Sequence, residues 1–91
     1  MNKEKLERVR EMISEEKSVE ARRIFKDIPP EDSVLYYLTK GFLEQKFQNW
    51  GDAINAYSRV LELDAENEDA KSNLHLIQNI LNFWNPEMFN P

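Results

Sequence analysis

Apolar residues recur along this chain at helical spacing. Leu6, Val9, Met12 and Ile13 fall at i, i+3, i+6 and i+7, so residues 3–15 read as an amphipathic helix with its charges on the opposite face. Ser18 is placed to cap a second helix, whose stripe of Ala21, Ile24, Phe25 and Ile28 runs up to Pro29-Pro30. Asp32 or Ser33 opens a third helix, from Val34 to about Lys46. Asn49 is a suitable N-cap for a fourth, in which Trp50, Ala53, Ile54, Tyr57, Val60 and Leu61 form the clearest stripe in the chain. A fifth begins near Asn67 and runs to about Trp84. No segment alternates between apolar and polar residues long enough to predict a strand. The expected fold class is all-α: five helices joined by short connections into successive antiparallel hairpins.

The pattern also repeats. Ala21, Phe25 and Ile28 superimpose on Ala53, Tyr57 and Val60 with an offset of 32 residues, and the same offset carries Leu6 onto Leu38 and Val9 onto Gly41. Each unit reads as helix A, a short turn and helix B. The small alanine lets helix B approach helix A closely, and the aromatic one turn later fills the space between them.

On these residues the second unit resembles the tetratricopeptide repeat (TPR) family. Tyr37 stands at the first aromatic place of the repeat pattern, Gly41 at the small place, and Ala53 and Tyr57 at the helix B places. The run from Val60 to Asn67 is similar to the ending of such a repeat. Lys40, Glu44 and Ala65 depart from the pattern where Leu, Tyr and Pro are usual. The resemblance divides one domain, residues 1–91, into a degenerate first repeat over 2–33, a second repeat over 34–67, a capping helix over 68–84 and an aromatic, proline-containing tail over 85–91. A terminal cap is what a repeat array needs at an open end.

The resemblance implies a protein-interaction module, because helix A residues in this family line a concave groove for a peptide or a partner helix. On the third helix the groove positions are Leu35, Leu38, Phe42 and Gln45; on the fifth they are Asp69, Ser72, Asn73, Leu76 and Ile80. The fifth helix carries two apolar stripes. Ala70, Leu74, Ile77, Leu81 and Trp84 suit packing on the fourth helix, while Leu76, Ile80 and Phe83 lie about a quarter-turn away on the groove side. Exposed apolar surface of that extent is covered or used. Three coverings are open: the tail folding back with Met88 and Phe89 on the stripe, self-association as a homodimer, and an unidentified partner protein or peptide. The family's carboxylate clamp for acidic chaperone C-termini would fall on Leu6, Arg10, Thr39, Asp69 and Asn73, a set with one base, one acid and an apolar residue, so that ligand is not expected. The groove is expected to be apolar and neutral-polar.

Composition narrows the function further. The 91 residues carry a net charge of −5, distributed as −1 over residues 1–32, +1 over 33–59 and −5 over 60–91. That layout argues against a nucleic-acid partner, which needs a basic face. Cysteine is absent, which excludes a disulfide scaffold and a thiolate metal site. The charged start and the lack of a long apolar run predict a cytoplasmic protein with no membrane contact. His75 is the one histidine, no glycine-rich phosphate loop exists, and Glu15/Glu16 and Glu68/Asp69 are neighbours at helix ends. A non-enzymatic protein, without cofactor or metal, is expected. Arg22, Arg23, Arg8, Arg10 and Lys26 alternate with Glu7, Glu11, Glu20 and Asp27, predicting a solvated face of i,i+4 ion pairs. Trp50 is expected to pack between helices, and Tyr36 to be freer than Tyr37.

Overall fold

The computed structural model describes residues 2–84, with Trp84 described by its backbone alone. Five helices account for most of them: α1 (Asn2–Ser14), α2 (Ser18–Lys26), α3 (Val34–Lys46), α4 (Trp50–Leu63) and α5 (Glu68–Trp84). Consecutive helices pack on one another, and α1 also packs on α3. Three-residue turns reverse the chain between α1 and α2 and between α3 and α4. No strand occurs among the described residues, and no helix there is long and apolar enough to cross a membrane.

Two turns of the backbone are built alike. Glu16 and Gln48, 32 residues apart, both take the left-handed conformation, with φ of 63° and 60°. Each closes its helix in the same way. The N–H of Lys17 donates to the Met12 carbonyl at 2.8 Å and that of Glu16 to Ile13 at 3.1 Å; the N–H of Asn49 donates to Glu44 at 2.9 Å and that of Gln48 to Gln45 at 3.0 Å. These are two copies of the Schellman closure, which satisfies the orphan carbonyls at a helix C-terminus.

That closure corrects one cap. Lys17, not Ser18, is the N-cap of α2, because the residue ending the turn already offers its carbonyl to Ala21 N–H at 2.9 Å. Asn49 holds the equivalent place before α4, but its side chain donates to Glu44 at 3.1 Å instead of capping the helix. Of the two residues expected to open α3, Ser33 does so: its Oγ accepts from Tyr36 N–H at 3.2 Å and donates to Glu31 at 2.8 Å. Glu31 also accepts from Asn2 at 2.9 Å, joining the starts of α1 and α3. These two hydrogen bonds, Asn2 first, hold its carboxyl below the usual value. Asn67 caps α5, accepting from Ala70 N–H at 3.0 Å. Helix α2 stops at Lys26, before Ile28, since a residue preceding proline avoids the helical region. Ile28 is nevertheless buried.

Two apolar clusters share α3. Leu6, Val9, Ile13, Phe25, Ile28 and Leu43 belong to the first, and Leu38, Ala53, Tyr57, Val60, Ala70 and Ile77 to the second; Tyr37 and Phe42 are half-buried against both. Gly41 lets α4 come close: a Cβ built there would sit 2.6 Å from the Tyr57 ring. Tyr36 is the more buried of the tyrosine pair, at 6 % exposure, stacked on Phe25 at 5.0 Å, which reverses the expectation that it is the freer. Arg59 ties the far end of α4 back to the start of α3, its Nε donating to Asp32 at 2.8 Å while Nη1 reaches Glu62 at 3.1 Å.

Candidate binding groove

An open groove of about 760 Å³ lies between α1, the end of α3, the start of α4 and α5. Phe42 and Gln45 line it from α3 and Asn73 from α5, so the structure brings these three predicted residues together. The other five are elsewhere. Leu38 is 5 % exposed and belongs to the second core cluster, because its face of α3 meets α4. Leu35 packs against the first cluster. Leu76, 48 % exposed, follows Asn73 along α5, with half-buried Ile80 and exposed Phe83 further on. The proposed masking residues Met88 and Phe89 lie outside the described residues.

The floor of the groove is built from interlocked side chains. Gly41 admits the Tyr57 ring beneath α3, where it is fully buried with Phe42 edge-on at a centroid distance of 6.0 Å. Its hydroxyl donates to Gln45 Oε1 at 2.7 Å, which fixes the amide. Burial pushes the Tyr57 hydroxyl pKa well above the ordinary tyrosine value; the nearby Asp69 charge adds to this and Arg10 opposes it. The Arg10 guanidinium lies over the Phe42 ring, 5.0 Å from its centroid, a cation–π contact between two residues that line the groove. Asn73, which lines the cavity from α5, donates to the Asp69 carbonyl at 2.7 Å.

Four lining side chains are charged, Glu7, Arg10 and Glu11 from α1 and Lys46 from α3, so the groove is amphiphilic and the expectation of an apolar groove is corrected. Lys46 reaches Glu16 at 3.5 Å and Glu11 reaches Arg8 at 3.6 Å. Trp50 is half-buried and serves two surfaces, packing on the second cluster while lining the groove. The α1 wall was missed by the sequence reading, although the repeat offset pointed to it: adding 32 carries Arg10 to Phe42, Ile13 to Gln45 and Ser14 to Lys46. Of the carboxylate-clamp positions, Arg10 and Asn73 reach the groove. Leu6 and Thr39 are fully buried, with the Thr39 hydroxyl donating to the Leu35 carbonyl at 2.7 Å.

His75 is exposed on α5. No group of three or more His, Asp or Glu side chains suited to a metal ion occurs among the described residues. Compared with protein-family models, with curated proteins and with solved structures, the chain matches none.

Proposed function

We propose that this chain is a non-enzymatic interaction module of TPR-like helical hairpins that binds a peptide or a partner helix in the groove between α1, α3 and α5. The pre-formed floor carries this reading: Arg10 is held on Phe42 and Gln45 is held by Tyr57, so polar groups already face an open cavity beside the apolar surface of Trp50. Pre-positioned donors beside an aromatic wall suit an extended peptide, whose backbone offers acceptors and whose side chains offer apolar area. The two Schellman turns 32 residues apart support the repeat assignment. Selection of a displayed random-peptide library on the full chain tests the proposal. Enriched peptides are expected to lose about tenfold or more in affinity on Asn73→Arg, which fills the α5 side of the groove from a surface position. Failure to enrich any peptide, or binding indifferent to both Asn73→Arg and Gln45→Arg, refutes it.

Self-association is the second reading, favoured by the exposure of Leu76 at 48 %. It expects a dimer in sedimentation at micromolar concentration that Leu76→Glu abolishes.

A further inference from the structure

A second cleft, of about 260 Å³, lies between α2 and α3 and shares no lining residue with the groove. Its floor is apolar, formed by Phe25, Ile28 and Leu43. Its rim is basic: Arg22 and Lys26 from α2 face Lys40 from α3, and Arg23 extends the charge around α2 beside Val19, an exposed apolar residue. Glu44, the one carboxylate among the described lining residues, already accepts from Asn49 at 3.1 Å.

The helical spacing predicted that Arg22, Arg23 and Lys26, with Arg8 and Arg10, form i,i+4 ion pairs with the interleaved Glu7, Glu11, Glu20 and Asp27. The structure differs. Among the described residues, none of Arg22, Arg23, Lys26 and Lys40 makes an ion pair, although six ion pairs form elsewhere. The Arg22 guanidinium instead lies over the Phe47 ring, 4.7 Å from its centroid. Three cations with no carboxylate partner among the described residues, Arg22, Lys26 and Lys40, thus ring one apolar slot, with Arg23 beside them on α2, in a chain whose net charge is −5.

We propose that the α2–α3 face docks an acidic segment of a partner protein, with one aliphatic side chain entering the cleft and flanking carboxylates meeting Arg22, Lys26 and Lys40. Charge complementarity selects the sign of the partner, and the apolar floor selects its kind. A nucleic-acid backbone is acidic but carries no aliphatic group for the slot, and the net negative charge of the rest of the chain repels a long polyanion. A second copy of this chain is the weaker candidate because most of its acidic corner is engaged: Glu62 pairs with Arg59, Glu66 with Lys71, and Asp64 accepts from Asn67, which leaves Glu68 and Asp69 in the first turn of α5, where the helix dipole already favours them. A guanidinium held over a ring offers its N–H edge to a carboxylate with little further ordering.

A fluorescein-labelled peptide of sequence EEEELEEEE, titrated with the full chain, tests the proposal. Binding is expected at about 20 mM salt and to weaken at about 200 mM, as exposed charge contacts are screened. Lys40→Glu, and separately Arg22→Glu with Lys26→Glu, should each lower affinity about tenfold or more, while Asn73→Arg in the groove leaves it unchanged. Replacing the central leucine of the peptide by serine should lower affinity about tenfold, the loss of one buried aliphatic side chain. Arg22 leans on Phe47, so Lys40→Glu provides a variant without that packing role. The proposal is overturned if the peptide does not bind, or if the serine peptide or a single-stranded oligonucleotide binds equally well. It is also overturned if the chain alone self-associates at low salt and Lys40→Glu abolishes that.

Discussion

Replacing either of the two glycines by alanine is expected to change stability with opposite signs, and Gly41 is the informative one. A Cβ at Gly41 would meet Cε1, Cζ and Cδ1 of Tyr57 at 2.6, 2.8 and 2.9 Å, where ordinary carbon contacts lie at about 3.5–4.0 Å. The ring has to retreat by roughly 1 Å to restore such contacts. It is fully buried, its hydroxyl is held by Gln45 at 2.7 Å, and Phe42 lies against it, so the retreat also moves the groove floor. Overpacking of this kind costs about 1–3 kcal/mol. Three contacts on a stiff ring place it at the upper end. Alanine returns about 1 kcal/mol of helix propensity, leaving a net loss of about 1–2 kcal/mol, or roughly 4–8 °C of thermal midpoint per kcal/mol for a domain of this size. Nothing lies within 4 Å of a Cβ at Gly51, in the first turn of α4. Gly51→Ala should therefore stabilise by about 0.4–1 kcal/mol. Urea unfolding followed by far-ultraviolet circular dichroism measures all three proteins. If Gly41→Ala matches wild type, or exceeds Gly51→Ala, the close approach of α4 to α3 is wrong. A cycle with Tyr57→Leu locates the effect: removing the ring should cost less in the Gly41→Ala background than in wild type.

Other outcomes follow from the caps and the titrating groups. Tyr57→Phe removes the hydroxyl bond to Gln45 and should cost about 0.5–1.5 kcal/mol in the same urea experiment; an unchanged midpoint counts against that bond. Burial raises the pKa of both Tyr57 and Tyr36 above the ordinary value of 10.0, so the folded state keeps protons that the unfolded chain releases. Stability from these groups is complete below about pH 10 and falls as pH rises above it, with a shallower fall in Tyr57→Phe; a midpoint flat to about pH 11 contradicts this. Glu31 works in the opposite direction. Its pKa is lowered from 4.5 by Asn2 and Ser33, so its contribution is present above that value and lost as pH falls below it, and Glu31→Gln should flatten the acid limb. Gln48→Gly relieves a left-handed non-glycine residue at φ 60° and should gain roughly 0.5–1 kcal/mol, the strain removed less the added unfolded-state freedom. A loss of stability would mean that the Gln48 side chain matters more to the turn than its backbone.

Helix positions and the core stripes were legible because burial acts at every third or fourth residue: Leu6, Val9, Met12 and Ile13 all turn inward as their spacing predicts. Caps were less legible. Ser18 has the chemistry of an N-cap, yet a three-residue turn makes Lys17 end one helix and begin the next. The site was legible only in part. Phase along a single helix places Phe42, Gln45 and Asn73 on the groove, but it cannot tell Leu38 from its neighbours, because which side of α3 faces α4 depends on how closely Gly41 allows Tyr57 to approach. The cation–π contacts of Arg10 and Arg22 join residues on different helices and leave no local pattern, so an ion-paired face was expected where two of the arginines rest on rings.

Helix α3 links core stability to the groove. Phe42 packs against both clusters, carries Arg10 on one face and borders Tyr57, while Gln45 one turn later binds the Tyr57 hydroxyl. A ligand that contacts Arg10 or Gln45 therefore acts on residues already constrained by the core, and little ordering of the floor remains when it binds. The α2–α3 cleft also rests on α3, through Leu43 and Lys40, but its second wall is α2 and it shares none of those four residues. Two surfaces on one helix can then be occupied together, and a change confined to the rim of one, such as Lys40→Glu, should leave the other's affinity unaltered, whereas Gly41→Ala, by displacing Tyr57, should weaken the groove more than the cleft.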